Sequence, residues 1–127
     1  MSKIQSVLVV DDDRDIRRIA ELTLRNVGGW TVLLAASGAE AVEVAGRERP
    51  DVILLDVMMP VADGPTTLAR LRTSPDTLAI PVIFVTARVQ QHEVARYLAL
   101  GAVGVLAKPF DPMTLATQIE EIVGGRA

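Results

Sequence analysis

Five short apolar runs, each followed by a stretch of helix length, constrain the fold of this chain more than any other feature. Ile4 to Val10, Val52 to Leu55, Ile80 to Val85 and Val103 to Ala107 are apolar enough for strands buried on both faces, as in a parallel sheet under helices. Trp30 to Ala35 is less uniform and is expected nearer an edge. Between the runs, Ile16, Ile19, Ala20, Thr23 and Val27 recur at helical spacing, and Gly28-Gly29 then stops the helix. Leu115, Ile119, Ile122 and Val123 repeat the pattern, with Asp111 predicted as N-cap, Pro112 at the first helical position and Gly124-Gly125 as the stop. Ala39 to Gly46, Pro65 to Arg72 and Val89 to Leu100 supply the remaining helices.

The order is therefore (βα)5, read as one α/β domain over residues 1–127 with no repeat or linker. Right-handed crossovers place helices on both faces of such a doubly wound sheet, and ligands sit beyond the carboxyl ends of its strands. A chain of 127 residues can bury a real core, and with only Trp30, Phe84, Tyr97 and Phe110 as aromatics that core must be largely aliphatic. A formal charge of −3 argues against direct nucleic-acid binding, which usually brings a basic face. The absence of cysteine excludes disulfides and thiolate metal sites. Met1-Ser2-Lys3 leads into a short run without signal-peptide features, and no apolar stretch approaches the roughly 20 residues of a membrane helix. The expectation is a soluble cytoplasmic protein.

The strand ends carry the chemistry. The first apolar run ends in Asp11-Asp12-Asp13, the third in Asp56, the fourth in Thr86 and the fifth in Lys108-Pro109. Taken singly, each has an ordinary structural reading: an acidic run before a helix caps it, and Asp13 is expected to do so. Thr86 alone would be a turn cap and Lys108 a solvated charge. Together they would deliver carboxylates, a hydroxyl and an ammonium to one edge. Clustered carboxylates resist joint ionisation unless a cation neutralises them. A hard ion such as magnesium (Mg2+) suits an oxygen cluster that also takes phosphate oxygens. An acceptor carboxylate, a bridging metal and a nearby positive charge are what phosphoryl transfer requires.

The stretches Val7-Leu8-Val9-Val10-Asp11-Asp12-Asp13, Asp51-Val52-Ile53-Leu54-Leu55-Asp56-Val57-Met58-Met59-Pro60, Asp63-Gly64, Pro81-Val82-Ile83-Phe84-Val85-Thr86-Ala87 and Gly101-Ala102 through Lys108-Pro109-Phe110 resemble the response-regulator receiver family in order and spacing, almost end to end. The resemblance implies a flavodoxin-like sheet of strand order 2-1-3-4-5 and a cis peptide before Pro109. It implies that Asp56 is the phosphoacceptor, charged by a histidine kinase or phosphotransfer protein. Asp11 and Asp12 are implied to hold Mg2+ with Asp56 and the Met58 backbone carbonyl, while Thr86 is the switch hydroxyl and Lys108 the phosphate-pairing lysine. The output would be a downstream protein, or an output domain outside these residues. The implied signalling face comprises the helix from Val89 to Leu100, the strand around Val105 and the last helix, with His92, Arg96 and Tyr97 as candidate partner contacts. Such a domain is expected to catalyse only its own phosphorylation and dephosphorylation.

The chain departs from the family pattern at Val105, three residues before the lysine, where the family often carries Tyr or Phe that couples to the switch threonine. With valine there, little readout is expected from that position. Met58 and Arg88 occupy the two positions that tune phosphate lifetime in the family, and a long-lived phospho-form is expected because Met58 cannot position a hydrolytic water. A haloacid-dehalogenase-type phosphatase would need a second Asp where Met58 stands. A flavin site would need a hydroxyl- and glycine-rich loop in place of Asp11-Asp12-Asp13. The intact Asp11, Asp12, Asp56, Thr86 and Lys108 set argues against a pseudo-receiver acting only as an interaction module.

Overall fold

The computed structural model describes residues 4–87 and 89–124. They form a five-stranded parallel sheet in the order β2-β1-β3-β4-β5, as the resemblance implied. The strands are β1 (Ser6–Val10), β2 (Thr31–Ala35), β3 (Val52–Asp56), β4 (Val82–Thr86) and β5 (Gly104–Ala107). The α-helices between and after them are α1 (Arg14–Thr23), α2 (Gly38–Glu48), α3 (Gly64–Leu71), α4 (Gln91–Ala99) and α5 (Leu115–Gly124). The irregular run from Trp30 is the edge strand β2, whereas the uniform runs β3 and β4 are buried at every residue.

Side chains alternate across the sheet, so each inner strand feeds two cores. Leu8, Val10, Ile53, Leu55, Val82 and Phe84 pack with α2, α3 and α4, through residues such as Val44, Leu68, Leu71 and Tyr97. Val7, Val9, Leu54, Ile83, Val85 and Leu106 pack with α1 and α5, through Ala20, Leu24, Leu115, Ala116 and Ile119. Each fully buried Leu or Ile contributes about 1.5–3 kcal/mol relative to exposure. These layers hold the sheet edge rigid.

Local chemistry sets where the helices start. Asp13 caps α1, accepting from the backbone N–H of Asp15 and Ile16, as expected. Ser37 caps α2 from the Glu40 N–H, and Asp63 caps α3 from the Thr66 N–H with Pro65 in the first turn. Two expectations shift. Asp111 and Pro112 open a turn rather than α5 itself: the Asp111 carboxylate accepts from the Met113 N–H, and the helix begins at Leu115. Past Thr23, α1 widens into a single π turn over Leu24–Gly28, which Gly29 closes in the left-handed region at φ 72°. That turn takes in an extra residue and carries Val27 to the surface, while Leu24 is buried in its stead. Ile19 is also exposed, on the outer side of α1. Gly125 and Met1-Ser2-Lys3 lie outside the described residues.

Candidate functional site

Strand register brings the polar residues level with one another. Val10 pairs with Leu55, so Asp11 and Asp56 emerge side by side at the carboxyl edge of β1 and β3. Asp56 pairs with Val85 and Thr86 with Ala107, which places the hydroxyl and then Lys108 along the same edge. Asp11, Asp56 and Thr86 are buried, while Asp12 is exposed at the rim. Oxygens of Asp11, Asp12 and Asp56 lie within 4.8 Å of one another. The Lys108 ammonium bridges the two buried carboxylates, 2.7 Å from Asp11 Oδ2 and 3.2 Å from Asp56 Oδ1. The Met58 N–H donates to Asp56 Oδ1 at 3.3 Å, and the Asp13 N–H donates to Asp11 Oδ1 at 2.9 Å. The Lys108–Pro109 peptide is cis.

The start of α3 presses onto this edge. A Cβ on Gly64 would come within 2.7 Å of the Asp56 carbonyl oxygen, so only glycine lets the helix sit directly behind the end of β3. Arg17, on α1, donates from Nη1 to the Asp11 carbonyl at 2.8 Å and pins the turn that presents the first carboxylate. Nothing in the sequence distinguished Arg17 from the neighbouring surface arginines Arg14 and Arg18, because its partner is a backbone atom.

The electrostatics are those of a strained acidic cluster. Burial, and after it the charge of Asp11, raise the Asp56 pKa above the ordinary carboxylate value, against the lowering effect of Lys108. Burial alone would lower Lys108, but the hydrogen bonds and charges of Asp11 and Asp56 outweigh it, and its pKa is raised. Three carboxylates face one bridging ammonium. That excess of negative charge on hard oxygen donors fits a divalent cation such as Mg2+, and an acid cluster of this kind is ill-suited to a bare phosphate or flavin.

Of the residues singled out in the sequence, Asp11, Asp12, Asp56 and Lys108 come together, and Thr86 stands on the same edge. Met58 lies beside the acceptor with its side chain 76% exposed. Arg88 lies outside the described residues. Tyr97 is a correction: at 3% exposure it is a core residue rather than a surface contact, because the α4 face that carries it turns onto Phe84. His92 and Arg96 do stand exposed on α4. Among the described residues no helix is long and apolar enough to cross a membrane.

Comparison with known proteins agrees with this geometry. The chain is 39% identical over 117 residues to the response regulator MprA of Mycobacterium leprae, covering 92% of this chain and 50% of that protein. It is 37% identical over 119 residues to the probable transcriptional regulator ycf27 of Porphyridium aerugineum, covering 94% of this chain and 48% of that protein. The chain thus spans about half the length of these curated relatives. Among solved structures, the chemotaxis protein CheY4 of Vibrio cholerae superposes with a TM-score of 0.86 at 34% identity, covering 94% of this chain and 98% of that one. The receiver domain of the sensor histidine kinase PA1611 of Pseudomonas aeruginosa, solved with a magnesium ion in its active site cleft, gives 0.83 at 33% identity, covering 94% and 98%. The family model described as the response regulator receiver domain matches residues 7–120. With sheet order, acidic edge and sequence in agreement, the chain belongs to the response regulator receiver domain family of two-component signalling.

Proposed function

We propose that Asp56 accepts a phosphoryl group from the phosphohistidine of a histidine kinase or phosphotransfer protein, and that the resulting change in charge is the signal. An Asp56 carboxylate oxygen attacks phosphorus, a P–O bond forms, the P–N bond breaks, and the histidine ring leaves with the electron pair and takes a proton from solvent. The observation that carries this reading is the Lys108 bridge, with one ammonium held between two buried carboxylates at a strand edge. Lys108 is placed to turn from Asp11 and Asp56 to the phosphoryl oxygens, to which it would pair as a point charge. Thr86 would donate its hydroxyl to the same group. Asp11, Asp12, Asp56 and the Met58 carbonyl would hold Mg2+, an ion that the similar PA1611 domain carries in its cleft. When bound, the ion neutralises the charge shared between acceptor and phosphoryl oxygens.

The domain would catalyse only its own phosphorylation and dephosphorylation, in the cytoplasm, and act on a downstream protein or through an output domain outside these residues. That the chain matches about half of its curated relatives is consistent with either arrangement. Intact mass after incubation with acetyl phosphate and Mg2+ tests the reading: one added phosphoryl group, lost in Asp56→Ala and with chelator, is expected. Absence of that mass with both acetyl phosphate and a kinase donor would leave the pseudo-receiver. Sustained turnover of a small phosphate ester would instead favour an aspartate-nucleophile phosphatase. Because the Met58 thioether offers no donor to orient a hydrolytic water, the phospho-form should outlast a scale of seconds; the decay of the added mass measures this.

A further inference from the structure

The aromatic ring absent from β5 is supplied by another element. Val105 pairs in register with Phe84 on β4, and both face the core layer under α4. Tyr97 descends from α4 into that layer and meets Phe84 edge to face, with centroids 5.1 Å apart and ring planes at 60°. The Phe84 ring also packs beside Gly64, which backs the acceptor's main chain: a Cβ on Gly64 would stand 3.0 Å from Phe84 Cε1 and 2.7 Å from the Asp56 carbonyl oxygen. Thr86 lies two residues beyond Phe84 on β4 and so on the same face of the sheet. Phe84 and Tyr97 are therefore a packed pair reaching from behind the acceptor to the core side of α4.

The other end of Tyr97 reaches polar groups of α4. Its hydroxyl hydrogen-bonds Glu93 Oε2 at 3.3 Å, and the Arg96 guanidinium lies 5.0 Å from its ring centroid. The Arg96 side chain is 63% exposed and that of Glu93 is 21% exposed. A ring rooted on β5 can report by changing rotamer while its strand stays fixed. A buried ring rooted on α4, packed edge to face below and hydrogen-bonded above, transmits displacement to the helix itself. We propose that Tyr97 couples the state of Asp56 and Thr86 to the position of α4, a role displaced from β5 to the helix in this chain. The inference rests on the phosphoacceptor reading given above.

Tyr97 is the single tyrosine of the sequence and Trp30 the single tryptophan, so fluorinated analogues give one resonance each. Trp30 lies in the opposite core layer and serves as the control. Whole protein carrying 3-fluorotyrosine, treated with acetyl phosphate and Mg2+ and checked by intact mass, should show a displaced or second fluorine resonance. The separation should exceed the linewidth, be absent in Asp56→Ala, and leave a fluorotryptophan signal at Trp30 unchanged. Full phosphorylation by mass with an unmoved Tyr97 resonance overturns the inference and leaves the receiver reading intact. No added mass with any donor overturns both. Hydrogen exchange across Gln91–Ala99 provides the second test. The change on phosphorylation should be lost in Tyr97→Ala, retained in Tyr97→Phe and regained in the double variant Tyr97→Ala/Val105→Tyr, which returns a ring to the same space from the strand. A change in Tyr97→Ala equal to that of the unaltered protein overturns the proposal.

Discussion

The two edges of this sheet treat carboxylates in opposite ways. At the amino edge, Asp51 accepts hydrogen bonds from the backbone N–H groups of Gln5 and Ser6 at 2.8 and 3.0 Å. Nearby, Arg49 pairs with Asp76 at 2.7 Å in the open, where both side chains are more than half exposed. Those charges stitch the fold together, and each is satisfied by an amide or a single opposite charge. At the carboxyl edge, Asp11 and Asp56 are buried facing one another, with Lys108 between them and Asp56 held at a raised pKa. A carboxylate that faces amides is stabilised; a buried one that faces another carboxylate is costly to the fold and becomes useful only with a ligand that removes the repulsion.

Exchanging the roles of the two edges by mutation is the most direct way to break this comparison. Asp56→Ala should abolish phosphoryl uptake while Asp51→Ala leaves it intact, both read by intact mass. Equal loss in both variants would show that the edges do not differ in function.

The next largest effect is that of the metal on stability. At a free Mg2+ concentration of one hundred times its dissociation constant, the protein should gain about 2.7 kcal/mol against unfolding. Asp11→Ala should lose most of that gain, and Asp51→Ala none of it, in denaturant titrations with and without chelator. Asp51→Ala itself removes the acceptor of two backbone N–H groups and should cost about 1.5–3 kcal/mol, the ordinary worth of hydrogen bonding to a charged group.

The smallest effect sharpens the comparison through pH. Because the folded state raises the Asp56 pKa, the folded protein binds this proton more tightly than the unfolded chain. The favourable contribution is present at pH below the unfolded value and is lost as pH rises through the folded one. Metal-free Asp56→Asn should therefore melt higher than the unaltered protein at neutral pH. The advantage should shrink as pH falls through the raised pKa toward the ordinary 3.8. An advantage that grows on acidification would refute the assignment of Asp56 as the disfavoured charge.

Much of the site was legible because it follows from strand ends. The polar residues after Val10, Leu55, Val85 and Ala107 interrupt apolar runs, and a parallel sheet delivers such residues to one edge whatever the side chains around them. Asp13 was equally plain, since capping is a local hydrogen bond between near neighbours. Arg17 was not legible, because its partner is a carbonyl and any arginine could have reached it. The exposure of Val27 was not legible either, because the π turn after Thr23 breaks the helical period on which its spacing with Ala20 and Thr23 rests.

The sequence by itself determined the alternation of strands and helices, the edge at which the acidic residues gather and the family to which the chain belongs. Those properties rest on period, polarity and residue order, which are local or depend only on topology. Only the tertiary structure decided that Lys108 spans both buried carboxylates, that α3 can lie against Asp56 through Gly64, and that the ring over Phe84 is Tyr97. Each of these depends on the distance between elements far apart in the chain, and close packing allows one side chain to fill a space from whichever element reaches it first.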